Sequence, residues 1–169
     1  MRITAISAAV ALMALTLSSA LFAQRPDDQI DARSIALLQQ GRAAQAAGNL
    51  DAATDALETA LAVDPRNRQA FLALADVARA RGLPGKAIRY YREALLLEPN
   101  DVAALRGQGE AMVAKGAVEK AKENLAKIRT LCPGQCGDAN TLAAAIAKGP
   151  PVTATAAQDV SATPAAAKP

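Results

Sequence analysis

The chain has 169 residues, a net charge of +3, no histidine, no tryptophan and only 2% aromatic residues. Without histidine there is no catalytic triad, no histidine-held zinc water and no imidazole acid–base chemistry, and no motif fixes a pair of carboxylates, so neither an enzyme nor a cofactor is expected. The charge is too small and too mixed to argue for nucleic acid, and a core short of aromatics must be filled by Ala and Leu, which suits close-packed helices.

Met1–Ala23 reads as a secretory signal. Arg2 supplies the positive start, Ala8–Leu15 is an uninterrupted apolar run, and both Ser18-Ser19-Ala20 and Leu21-Phe22-Ala23 end on a small residue suited to cleavage. A membrane anchor is the competing reading. Ser7, Thr16, Ser18 and Ser19 interrupt the stretch, however, and a spanning helix needs about 20 predominantly apolar residues. No cysteine follows the signal to carry a lipid, so the mature chain is expected to be exported, free of the membrane, and periplasmic or secreted in a Gram-negative bacterium. Residues 24–33 form a polar lead-in, where Pro26, Asp27, Asp28 and Asp31 fit the opening of a first helix.

From Ser34 the chain repeats with a period of 34 residues, as 34–67, 68–101 and 102–135. The fourth column holds Leu37, Phe71 and Leu105, and the eighth holds Gly41, Ala75 and Gly109. Gly48, Gly82 and Gly116 share the fifteenth column, Ala53, Ala87 and Ala121 the twentieth, and Leu57, Tyr91 and Leu125 the twenty-fourth. Ala60, Ala94 and Ile128 follow three places on, and Pro65, Pro99 and Pro133 close each unit. Glycine tolerates the left-handed conformation that ends a helix, and proline stops one by lacking an amide donor. Each unit therefore predicts two helices joined at the glycine and ended at the proline. Asp51 is the expected cap of the second helix in the first unit, and Pro84 the first-turn proline in the second. The small eighth column should let paired helices approach closely, with Leu37, Leu57, Phe71, Leu74, Leu95, Leu105 and Leu125 filling the space between them.

These columns resemble the tetratricopeptide repeat family. The resemblance implies an all-α, right-handed superhelical solenoid of three helix-turn-helix repeats with a C-terminal capping helix. It also implies a concave wall lined by the first helix of each repeat. Carried over by column, that wall is Ile35, Leu38, Arg42 and Gln45, then Gln69, Leu72, Asp76 and Arg79, then Ala103, Arg106, Glu110 and Val113. Chaperone-binding members of the family hold a C-terminal carboxylate there with a Lys/Asn/Arg clamp. Here the fifth column carries Leu38 and Leu72 and the ninth Arg42, Asp76 and Glu110, so the clamp is absent and that partner class is not implied. What remains is a mixed groove suited to an extended or helical peptide of another envelope protein.

Arg79, Arg81, Lys86, Arg89 and Arg92 lie close in sequence, but interleaved acids favour a solvated helix face over an anion-binding surface. Repeat one has two basic against four acidic residues and repeat three six against three, a mild polarity along the solenoid. Cys132 and Cys136 bracket Pro133 and Gly134. In an exported chain this spacing favours a disulfide, with a two-thiolate Cu(I) or thiol-redox carrier as the alternative. Residues 136–149 read as the capping helix, with Asp138 as its cap and Leu142 and Ile146 on one face. Residues 150–169, rich in Pro, Ala and Thr, lack the apolar surface to order and are expected to be a disordered tail. The reading as a whole is an exported, non-catalytic interaction scaffold.

Overall fold

The computed structural model describes residues 29–134 and 136–151. The expected signal at 1–23, the first half of the lead-in, Gln135 and nearly all of the expected tail lie outside the described residues. Among the described residues all regular structure is helical: α1 (Ala32–Ala46), α2 (Leu50–Val63), α3 (Arg68–Ala80), α4 (Pro84–Leu97), α5 (Val102–Ala114), α6 (Val118–Leu131) and α7 (Gly137–Lys148). None is long and apolar enough to cross a membrane.

The punctuation works as its chemistry predicts. Gly48, Gly82 and Gly116 adopt φ of +76°, +68° and +87°, a region that costs residues with a Cβ. The turn after Gly82 shows why the conformation is needed. The amide of Gly82 donates to Arg79 O and that of Leu83 to Ala78 O, both at 2.9 Å, which satisfies carbonyls that the end of α3 leaves open. The second helices stop at Val63, Leu97 and Leu131, each two residues before its proline.

The cap residues differ from expectation at α2 and α7. Helix α1 begins at Ala32, within the polar lead-in, where the Asp31 side chain accepts from Arg33 N at 2.7 Å. Helix α2 is capped by Asn49, whose Oδ1 accepts from Ala52 N, while Asp51 lies inside the first turn. Helix α7 is preceded by Cys136 with no side-chain cap, and Asp138 turns away to an arginine on α5. Asn49 and Cys136 take these positions because each stands just before its helix in non-helical backbone, where a cap must lie. Pro84 does occupy the first turn of α4.

Each helical hairpin packs on the next, and the core runs through them as three clusters. The first gathers Leu38, Leu57, Leu74 and Val77 around alanines. The second centres on Tyr91 among Ala75, Ala87, Ala94 and Ala104. The third joins Leu105, Leu125 and Ile128 to Cys136, Ala139 and Leu142 of the cap. Of the expected fillers, Leu37, Phe71 and Leu95 are only half-buried. The small eighth column serves two purposes. A Cβ on Gly41 would lie 2.6 Å from Leu57 Cγ, so it admits its own hairpin partner, as expected. On Gly109 it would lie 2.7 Å from Leu142 Cδ1, so that glycine makes room for the capping helix instead.

Buried polar groups tie the first repeat to the second. Ser34 Oγ donates to Ala60 O at 2.7 Å and accepts from Asn67 Nδ2 at 2.8 Å, while Asn67 Oδ1 caps α3 through Ala70 N. Asp64, also buried, accepts from Asp31 N and from the amide and guanidinium of Arg66. One repeat later the same two columns hold Arg68 and Asp101, joined as an ion pair.

Candidate functional site

The first helices of successive repeats touch one another, α1 to α3 and α3 to α5, whereas the second helices make no comparable contact. Helices α1, α3 and α5 therefore form one continuous face with the second helices behind it. Arg42 and Gln69 join across this face, Nη2 to Oε1 at 2.6 Å, so α1 and α3 share a polar rung. Ile35, Arg42 and Ala103 are exposed, and Gln45, Gln69 and Leu72 are half-buried.

Two of the candidate groove residues do not belong to the surface. Leu38 is 4% exposed and packs with Leu57 and Leu74, and Val113 is 5% exposed. Their columns belong to the wall in the family pattern, but Leu38 is drawn into the first core cluster, Val113 is buried as well, and neither offers surface to a ligand.

Four of the remaining residues assemble into one network. The Arg79 guanidinium reaches Glu110 (Nη2 to Oε2, 2.5 Å) and donates to Tyr91 Oη at 3.4 Å. Tyr91 in turn donates its hydroxyl to Asp76 Oδ1 at 2.5 Å. Glu110, only 12% exposed at its side chain, also receives Arg106 Nη1 at 3.1 and 3.2 Å. Arg106 Nε then reaches Asp138 Oδ1 on α7 at 2.6 Å. Four helices, α3, α4, α5 and α7, are thus connected through charge-assisted bonds, the stronger kind. Tyr91 and Asp138 were not among the sequence candidates. Tyrosine in a column that holds leucine in the other two repeats was the available signal for the first.

The protonation states follow from these contacts. Burial presses on the Arg79 charge, but the Tyr91 oxygen and the Glu110 and Asp76 carboxylates outweigh it and hold the guanidinium above its ordinary range. Burial likewise opposes Arg106, and Asp138 and Glu110 again overcome it. The Tyr91 phenol is pushed well up, first by burial and then by its bond to Asp76, so it stays a neutral donor.

Beside the network lies a pocket of about 460 Å³, lined by Asp76, Arg79 and Glu110 and by the small residues Ala80, Gly82, Pro84, Ala111 and Ala114. Elsewhere the basic cluster is largely neutralised: Arg81 pairs with Asp51, and Lys86 sits 3.9 Å from Glu58 and over the Tyr90 ring. Cys132 and Cys136 stand with Cα atoms 5.9 Å apart and their sulfurs turned to each other, Cys136 inside the third core cluster. Among the described residues no three His, Cys, Asp or Glu side chains converge as a metal site.

A model of the tetratricopeptide repeat matches residues 38–98 and, one repeat further on, 72–135. The chain belongs to the tetratricopeptide repeat family. Its fold is similar to the first tetratricopeptide domain of Spaghetti (RPAP3) bound to the HSP90 peptide SRMEEVD, with a TM-score of 0.64 and 20% identity over 72% of this chain and 96% of that one. The second such domain of human RPAP3, in complex with the HSP70 peptide SGPTIEEVD, gives a TM-score of 0.63 at 21% identity over 68% and 95%. At these identities the likeness is one of fold. A Thermobaculum terrenum O-GlcNAc transferase mutant is 28% identical with a TM-score of 0.61 over 68% of this chain, which spans only 22% of that one. No curated protein sequence matches the chain.

Proposed function

We propose that this tetratricopeptide repeat protein is a non-catalytic interaction scaffold of the bacterial cell envelope, holding a peptide or protein segment on the face formed by α1, α3 and α5. The observation that carries the reading is that continuous face, where Arg42, Gln69, Leu72 and Ala103 reach solvent beside a 460 Å³ pocket. Apolar and charged groups alternate along it, as suits an extended or helical segment. Complexes of the Spaghetti and human RPAP3 domains with short peptides support the ligand class. A carboxylate clamp is not part of the proposal, since the fifth column offers buried Leu38, half-buried Leu72 and an Arg106 already held by Glu110 and Asp138.

The envelope location rests on the signal-like pattern of Met1–Ala23. It is supported by the cysteines, whose 5.9 Å Cα separation lies in the range a disulfide spans and whose pairing would persist in an oxidising compartment. Fractionation of cells producing the full chain should place the mature form, shortened at Ala20 or Ala23, in the periplasm or the medium.

Binding is tested by charge changes at exposed positions. Arg79 and Arg106 are unsuitable because their charges hold the network together. Arg42→Glu combined with Ala103→Glu alters the face itself, and Arg92→Glu combined with Lys120→Glu alters exposed residues of the second helices. Exposed changes of this kind usually leave stability within ~0.5 kcal/mol. Crosslinked capture from envelope extracts should lose its specific partner with the first pair and keep it with the second. The reverse pattern would place binding on the second helices and end this reading.

A further inference from the structure

Resting on the groove reading above, we infer that the pocket between α3 and α5 receives a basic side chain, lysine or arginine, from the bound segment, with Asp76 as its counter-charge. Three observations lead there. The network contains three carboxylates, Asp76, Glu110 and Asp138, against two guanidinium groups, Arg79 and Arg106, and so carries one uncompensated negative charge.

That excess is localised at one end. Glu110 lies between Arg79 and Arg106 and is nearly buried, and Asp138 is held by Arg106 at 2.6 Å. Asp76 is 51% exposed at its side chain, and its nearest guanidinium atom is 3.8 Å away. Its Oδ1 is taken by the Tyr91 hydroxyl, whereas Oδ2 has no hydrogen-bond partner among the described residues. The carboxylate is therefore fixed in place by one oxygen and open to a ligand with the other.

The remaining lining has room for a long side chain. Ala80, Gly82, Ala111 and Ala114 contribute little bulk, and the volume of about 460 Å³ lies within the span of small-ligand sites. An aliphatic stem can lie on these small apolar residues while its charged head reaches the carboxylate. An acidic group meets the opposite situation. It would enter beside the Asp76 and Glu110 carboxylates, and the Arg79 charge that could attract it is already shared with both. Charge complementarity thus selects against anions here as well as for cations.

The test uses a displayed random peptide library selected on the full mature chain. Recovered peptides should carry Lys or Arg at one position, and replacing that residue by norleucine should weaken binding about fivefold, the worth of one partly exposed ion pair. With Asp76→Asn, which keeps an acceptor for Tyr91, the same replacement should cost nothing. The double variant Asp76→Asn with Glu110→Gln should reverse the preference toward acidic peptides, an outcome that a merely structural role for these residues does not produce. A circular dichroism melt on each variant checks folding, and the norleucine comparison stands even if the double variant is unstable. Recovery of acidic peptides by the unaltered chain, or a basic preference that survives Asp76→Asn, overturns the pocket assignment while leaving the groove intact. Peptides whose binding ignores Arg42→Glu with Ala103→Glu overturn both.

Discussion

Gly107 shows how single residues in this chain are coupled across repeats. A Cβ there would stand 2.4 Å from Tyr91 Cζ, in the body of a rigid ring that has nowhere to retreat. The equivalent positions in the other repeats are Gln39 and Ala73, and the residues matching Tyr91 are leucines. Glycine in the third repeat is therefore the complement of tyrosine in the second. Gly107→Ala should lower the urea midpoint by the equivalent of about 1–3 kcal/mol. In a Tyr91→Leu background the same change should be far milder, a coupling that a double-mutant cycle measures. Gly109→Leu meets Leu142 in the same way and should cost a similar ~1–3 kcal/mol through loss of the cap.

A titration belongs to this scale too. The Asp64 carboxyl is lowered to about 2 from an ordinary 3.8, chiefly by the Arg66 guanidinium and then by the Asp31 amide, against a smaller opposing effect of burial. Since the folded value is depressed, the stabilisation is fully present above the unfolded value of 3.8 and is lost as pH falls through about 2. Urea midpoints measured across that window should fall for the natural chain and flatten for Asp64→Asn.

At the scale of elements, α7 is joined to the solenoid three times over. Leu142 fills the space at Gly109, Asp138 holds Arg106, and Cys136 lies in the core opposite Cys132. Without it Leu105, Leu125 and Ile128 would face water, the open end that a solenoid must cover to stay soluble. If the cysteines are bonded, mature protein from the periplasm should weigh two hydrogens less than its reduced form. Reduction should then lower stability by on the order of 2 kcal/mol, the value expected for so short a loop before any strain is subtracted. Amide exchange should rise first in α7 and the end of α6, since those are the elements the closure restrains.

For the whole molecule the consequence is graded rather than all-or-none behaviour. Each hairpin contacts only its neighbours, so stability is a sum of repeat and interface contributions. Leu74 is buried between the first two hairpins, and Leu74→Ala should cost roughly 2–5 kcal/mol and reduce amide protection throughout α1–α4. Leu142→Ala, equally buried but at the end, should expose α6 and α7 to exchange while leaving α1–α3 protected. Equal loss of protection everywhere in both variants would show that the three clusters unfold as one unit.

Much of this architecture was legible before any coordinates, because the informative residues act locally. A glycine that must turn left-handed and a proline that cannot donate an amide mark helix ends wherever they stand, so Gly48, Gly82, Gly116 and the three prolines delimited six helices. Their spacing identified the repeat, and the repeat placed Arg42, Asp76, Arg79, Arg106 and Glu110 on first helices. Column position alone could not say which side chains on a first helix are exposed. Leu38 goes inward because Leu57 and Leu74, distant in sequence, pack against it, and hydrophobic burial depends on that sum of contacts rather than on register. Nor could it say that Arg79 and Arg106 share Glu110, that Tyr91 fastens Asp76, or that Gly109 serves the cap. Those contacts join residues up to 33 positions apart, and they exist only where the stacking of one repeat on the next sets side chains from different helices within a few ångströms.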